Sequence, residues 1–369
     1  MKYYIIAGEA SGDLHGSNLI KALKHLDEKP MIRAWGGELM QKEGAVISKH
    51  YKDLAFMGIV EVVAHLGTIL NNFKECKADI SSFKPDVILL IDYPDFNMRM
   101  AKWAKQHNFK TAYYISPTVW AWRKSRVHHI NKYVDEMMVI LPFEKDFYQK
   151  FNYNVHYVGH PLLEEIEQFE NKEFNKTLSK TLALLPGSRT QEIKKLLPVM
   201  LEAASSFSDY NIIIAQAPGQ EEQIYREIIG AQTNVSLQKG KTYEILKNAT
   251  AAMVTSGTAT LETALLKIPQ IVVYKTNAIT FSIAKRIVNT KYISLVNLIL
   301  NKKAVVELIQ DECNAENIKF HLTEILENKS VRKQIRDDYF DLSKLLVQEK
   351  KASENVAQIV FDLAKKNTP

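Results

Sequence analysis

The sequence predicts an α/β fold of two doubly wound domains followed by a helical C-terminal segment. Three observations carry this. A chain of 369 residues is longer than one hydrophobic core usually serves. Short continuous apolar runs alternate with amphipathic stretches, the pattern of parallel strands buried on both faces and joined by helices. The alternation stops between about residues 161 and 180 and then resumes.

In the first half, strands are expected at 3–7, 31–35, 86–91 (Asp-Val-Ile-Leu-Leu-Ile), 110–115 and 136–140. The first helix carries Leu19, Leu23 and Leu26 on one face, and further helices are expected near 60–76, 97–107 and 122–133. The stretch 161–180 is rich in charge and asparagine and has no strand pattern, which separates a domain over 1–165 from one over 166–345. Strands of the second domain are expected near 181–185, 211–215, 234–237, 250–254 and 270–274, each followed by a helical pattern. From about 314 to 367 the chain reads as helical and polar, and its last part, 346–369, is expected to pack across the domains or onto a partner.

Apolar and charged fractions of 46% and 24% are those of a soluble globular protein. Cys76 and Cys313 match no metal or redox spacing and read as reduced, buried residues of a cytoplasmic protein. Met1-Lys2 leads directly into Tyr3-Tyr4-Ile5-Ile6-Ala7 without a signal-peptide pattern, and no run approaches the roughly 20 apolar residues of a membrane span. The net charge of +6 is unevenly placed. Residues 116–134 hold Arg123, Lys124, Arg126 and Lys132 among Trp120, Trp122, His128 and His129, with no acid, and residues 263–306 hold seven bases, again with no acid. Such fields attract phosphate on a nucleotide, a lipid or a nucleic acid.

Open α/β sheets bind ligands beyond the carboxyl ends of their strands, so the loops there are the places to search. After the first strand comes Gly8-Glu9-Ala10-Ser11-Gly12-Asp13, where Ser11 or Asp13 can cap the next helix and a plain strand-to-helix turn is the alternative. After Ile91 comes Asp92-Tyr93-Pro94-Asp95-Phe96-Asn97; Asp95 or Asn97 can cap the following helix, whereas Asp92 has no such task and can take a proton from a sugar hydroxyl. In the second domain, Pro186-Gly187-Ser188-Arg189 and Ser256-Gly257-Thr258 each follow a strand and open a helix, where free N–H groups favour an anion such as a diphosphate. Glu262, one turn beyond Thr258, can bind ribose hydroxyls or make an exposed salt bridge. Gly-x-Gly-x-x-Gly, a complete P-loop, a nucleophile elbow, a metal cluster and Asp-x-Asp are all missing, so no metal or other cofactor is expected.

These pieces, in order and over nearly the whole chain, resemble the lipid-A-disaccharide synthases, glycosyltransferase family 19 of GT-B type. The resemblance is carried by the opening Ala7-Gly8-Glu9-x-Ser11-Gly12-Asp13, Met57-Gly58-Ile59-Val60-Glu61-Val62, Asp92-x-Pro94-Asp95-Phe96-Asn97 and Ser116-Pro117-x-Val119-Trp120-Ala121-Trp122-Arg123. It continues through Leu141-Pro142-Phe143-Glu144, Gly159-His160-Pro161, Leu185-Pro186-Gly187-Ser188-Arg189 and Ser256-Gly257-Thr258-Ala259-Thr260-Leu261-Glu262, to Ser294-Leu295-x-Asn297 and Glu307-Leu308-x-Gln310. Val296 and Glu38 stand where the family usually has proline, which touches loop geometry rather than chemistry.

The resemblance implies two facing Rossmann-like domains and an inverting transfer of diacylglucosamine from UDP-2,3-diacylglucosamine to the 6-hydroxyl of 2,3-diacylglucosamine 1-phosphate, releasing UDP. With it come Asp92 as base, with Glu9, Asp13 and Asp95 as competitors, and an acceptor-side loop of Gly8, Glu9, Ser11, Gly12, Asp13 and Glu61. Donor contacts are expected from Arg189, Ser256, Gly257, Thr258, Glu262, Asn297, Glu307 and Gln310. Acylated substrates imply a peripheral enzyme of the inner membrane, with Trp120, Trp122 and the isoleucine row Ile279, Ile283 and Ile287 as alternatives for membrane contact, acceptor pocket or core. A homodimer is left open. The competing readings are a UDP-sugar epimerase and a non-enzymatic phosphate- or RNA-binding module, although no nucleic-acid partner is expected.

Overall fold

The computed structural model describes residues 1–54, 66–122, 124–171, 180–277, 281 and 290–366. It divides into two units, Met1–Pro161 with Gln348–Pro369, and Leu162–Val347.

In the first unit, β1 (Lys2–Ala7), β2 (Met31–Gly36), β3 (Val46–His50), β4 (Val87–Ile91), β5 (Thr111–Tyr114), β6 (Glu136–Val139) and β7 (His156–Tyr157) form one sheet in the order β3-β2-β1-β4-β5-β6-β7. Every described pairing is parallel. Side chains alternate between two cores: Tyr4, Ile6, Ile88 and Leu90 enter one, Tyr3, Ile5, Leu89 and Ile91 the other. The helices are α1 (Ala10–Leu26), α2 (Glu38–Lys42), α3 (Leu66–Phe83), α4 (Pro94–Gln106), α5 (Arg126–Tyr133) and α6 (Pro142–Gln149).

The second unit opens with α7 (Leu162–Glu170). Its strands β8 (Thr181–Leu185), β9 (Asn211–Gln216), β10 (Val235–Lys239), β11 (Ala251–Thr255), β12 (Gln270–Tyr274) and β13 (Val306–Ile309) lie in the order β10-β9-β8-β11-β12-β13, again parallel. Its other helices are α8 (Thr190–Ala204), α9 (Glu222–Ile229), α10 (Thr242–Asn248), α11 (Thr258–Leu265), α12 (Leu295–Leu300), α13 (Ala315–Glu327) and α14 (Lys329–Leu346). The chain then returns to the first unit as α15 (Ala352–Lys365), whose Val356, Ala357, Val360 and Leu363 join the core beneath α1.

The strands that sequence patterning misses are β3, β7 and β13. Strand β3 reads Val-Ile-Ser-Lys-His and has no fully buried residue, β7 has two residues, and β13 is a half-buried edge. Edge strands have one neighbour and lack the continuous apolar run of central ones. Two expected caps also differ. Helix α1 starts earlier, at Ala10 after Glu9, with no side-chain cap from Ser11 or Asp13, and α4 starts at Pro94 rather than Asn97. Proline preorganises a first helical turn, which moves that start forward.

Candidate active site

In both sheets the strand order reverses beside the first strand, between β1 and β4 and between β8 and β11. Crevices beyond such switch points are where open α/β sheets hold ligands. Ala7 pairs with Ile91 and Leu185 with Val254, so Gly8 leaves the sheet beside Asp92, and the loop ending at Arg189 leaves beside Ser256-Gly257-Thr258.

At the first switch point Asp92 and Tyr93 are consecutive left-handed residues, φ 46° and 49°. Such backbone costs about 1–3 kcal/mol per residue and persists only where its surroundings enforce it. Here the Asp92 carbonyl accepts from Asn97 Nδ2 at 2.8 Å and from the Tyr113 hydroxyl at 2.7 Å, while its N–H donates to the Tyr114 carbonyl. Asn97 also donates to the Ile91 carbonyl. Its amide therefore holds the strand end instead of capping α4. Gly8 completes the arrangement, because a Cβ there would lie 2.4 Å from the Tyr93 ring. Burial, and then the charge of Glu9, push the Asp92 carboxyl up to about 6, so it is poised to accept a proton near neutral pH.

The competitors for the base separate. Asp13 is 2% exposed and its carboxylate accepts from the N–H groups of Gly37, Leu39 and Met40 at 2.8, 3.0 and 3.1 Å, capping α2. Asp95 is 84% exposed and pairs with Arg126. Glu9 and Ser11 are exposed at the start of α1, and Gly12 packs on Ala7. Glu61 and the rest of its motif, Arg123, and the Ile279, Ile283 and Ile287 row lie outside the described residues. Trp120 packs edge-on against Phe143, and Trp122 is 40% exposed.

At the second switch point Arg189 precedes α8 with its side chain 76% exposed. The anion place in this loop is held by Glu192, whose carboxylate accepts from the Ser188 and Arg189 N–H groups at 3.2 and 3.3 Å and from the Arg189 guanidinium at 3.3 Å. Gly187 (φ 108°) makes room, since a Cβ would meet Glu192 Oε2 at 2.5 Å. Sequence reasoning passed over Glu192, although a Glu three residues after the residue preceding a helix is half of a capping box. Gly257 and Thr258 are exposed at the start of α11, and the Ser256 hydroxyl donates to the Ile293 carbonyl. Glu262 is not an exposed ion pair. It accepts from the Tyr243 hydroxyl at 3.1 Å, and Glu165 Oε2 lies 3.4 Å from the same hydroxyl. Burial, then the charge of Glu262, push Glu165 up to about 7, and burial raises Glu262 as well.

The profile of the lipid-A-disaccharide synthetase family matches residues 3–360. The lipid-A-disaccharide synthase of Syntrophus aciditrophicus (strain SB) is 38% identical over 98% of this chain and 98% of its own, and that of Geobacter sulfurreducens 35% over 97% and 96%. This chain belongs to the lipid-A-disaccharide synthase family. It is a glycosyltransferase of lipid A disaccharide synthesis. Among solved structures, a Methanocaldococcus jannaschii UDP-GlcNAc 2-epimerase in complex with UDP-GlcNAc and UDP matches with a TM-score of 0.67, covering 98% of this chain and all of that one at 13% identity. The glycotransferase of kitacinnamycin matches with 0.65 at 10% identity, covering 98% of each. At such identities the likeness is one of fold, a GT-B-like pair of α/β units.

Three residues expected as donor contacts from lipid-A-disaccharide synthase motifs make internal hydrogen bonds in the second unit. Asn297 is fully buried: Nδ2 donates to the Val305 carbonyl and to Glu307 at 2.9 and 2.8 Å, and Oδ1 accepts from the Ala304 and Val305 N–H groups. All four of its hydrogen-bonding positions are used. Glu307 also accepts from the N–H groups of Ile293 and Ser294 and from the Ser294 hydroxyl. Gln310 brackets the backbone of Thr276, accepting from its N–H and donating to its carbonyl. These side chains brace loops of the second unit.

Proposed function

We propose that this chain joins UDP-2,3-diacylglucosamine to 2,3-diacylglucosamine 1-phosphate with Asp92 as general base, the first unit taking the acceptor and the second the nucleotide. As the acceptor 6-hydroxyl attacks the anomeric carbon, its proton passes to Asp92, the O6–C1 bond forms, the bond from C1 to the β-phosphate oxygen breaks, and UDP departs with inversion. Arg189 and the N–H groups opening α11 meet the charge that grows on the diphosphate. The exposure of Arg189 supports this, because its guanidinium can exchange a weak contact with Glu192 for a phosphate. Glu262 and Tyr243 supply polar atoms for the ribose. No helix among the described residues is long and apolar enough to cross a membrane. The acylated substrates are then met by peripheral attachment to the cytoplasmic side of the inner membrane.

The observation that carries this reading is Asp92, strained, pinned through its carbonyl, and raised to about 6 beside the switch point. Asp92→Asn is expected to lower kcat by about 100- to 10,000-fold, the usual contribution of a general base. In the unaltered protein, kcat/KM should fall with unit slope as pH drops below about 6, because the protonated carboxyl cannot accept the proton. Turnover of the variant within a few-fold of the original would move the base elsewhere. An epimerase would convert UDP-diacylglucosamine alone, whereas the transferase releases UDP only when the second sugar is present.

A further inference from the structure

We propose that the cavity between α4 and α5 is the seat of the acceptor's phosphate monoester, and that Arg126 and Arg99 make the enzyme select a phosphorylated amphiphile. This rests on the reading of Asp92 as the acceptor-side base, since Pro94, two residues beyond Asp92, lines the cavity. The cavity measures about 390 Å³, within the roughly 300–1,000 Å³ of sites that hold small ligands. Arg99, Arg126, Ser125 and His129 form its polar side, and Met98 and Ile130 give it an apolar wall. A phosphate beside a chain-bearing sugar requires that combination of donors and hydrocarbon.

The charge balance favours an anion. Among the described lining residues only Asp95 is acidic, and it reaches Arg126 Nη2 at 3.2 Å with its own side chain 84% exposed. An exposed pair of this kind contributes little, so a phosphate can displace it. The Arg99 guanidinium lies over the Phe73 ring at 5.6 Å, which steadies the cation and leaves its N–H groups to a ligand. His129 is held below its ordinary value by burial and then by Lys102, Lys132 and Arg126.

The test compares diacylglucosamine 1-phosphate with diacylglucosamine lacking the phosphate, each with UDP-diacylglucosamine as donor. The unaltered enzyme should prefer the phosphorylated acceptor by about 10- to 100-fold in kcat/KM, the range of one charge-assisted hydrogen bond. Arg126→Ala should remove most of that preference by lowering only the phosphorylated reaction, Arg126→Lys should restore part of it, and Asp95→Asn, which frees Arg126, should lower KM for the phosphorylated acceptor. Equal losses with both acceptors, no loss, or a raised KM for the donor would overturn the proposal. The Asp92 reading is judged separately, because Asp92→Asn must slow both acceptors alike.

Discussion

Asn297 is a motif residue whose side chain is wholly engaged within its own unit. A buried amide with both donors and both acceptor positions used has nothing left for a ligand. Asn297→Ala should therefore cost stability, on the order of 3 kcal/mol or more, because the Ala304 and Val305 N–H groups and the Glu307 carboxylate lose a buried partner. Denaturant unfolding should show that loss, while the folded fraction keeps its affinity for UDP; a large rise in Kd with unchanged stability would return Asn297 to the ligand. Asp92 is the opposite case. Its backbone is tied down, burial raises its carboxyl to about 6, and its position at a strand end was legible in the residue order. The left-handed conformation was not legible, because it depends on Tyr113 and Asn97 reaching the Asp92 carbonyl from other parts of the chain.

At the scale of elements, helix starts decide which polar groups are available. At α6 the buried Glu144 turns back to accept from the Leu141 N–H at 3.0 Å. Burial pushes its carboxyl up to about 8, against the N–H groups of Leu141 and Ile140 and the Trp120 indole, which favour its charge. A carboxyl near 4.5 when unfolded and near 8 when folded binds more protons in the native state over that interval. Its contribution is present below about pH 4.5 and is lost as pH rises through about 8, a total on the order of a few kcal/mol. Glu144→Gln keeps the oxygen that accepts from Leu141 and has no proton to lose. Between about pH 6 and pH 9 the melting temperature of the variant should fall less than that of the unaltered protein, since only the Glu144 contribution is removed; equal decline in both would refute this. Central strands and most helices were legible because both kinds of element repeat a burial period. The edge strands β3 and β7 were not, since an edge carries fewer buried residues for the period to show.

Over the whole molecule, the chain closes its first unit with its last helix. Val356, Val360 and Leu363 of α15 are buried in the core beneath α1, each worth roughly 1.5–3 kcal/mol, and the Asn355 side chain donates to the Val158 carbonyl at 3.1 Å. Ending the chain at Val347 should leave the second unit folded while the first loses cooperative unfolding and binds a hydrophobic dye; an unaltered melt of both units would show that α15 is dispensable. The repeated alternation of buried strands and amphipathic helices, which is local, determined two α/β units and the loops where chemistry could occur. Tertiary structure alone decided the tasks within those loops. It gave Asp13, Asn297, Glu307 and Gln310 internal hydrogen-bond partners, put Glu192 beside the Ser188 and Arg189 N–H groups, and raised the Asp92 carboxyl to about 6. Those outcomes depend on which distant backbone groups come within hydrogen-bond reach and how much water is removed around each carboxyl, and neither quantity exists until the chain has folded.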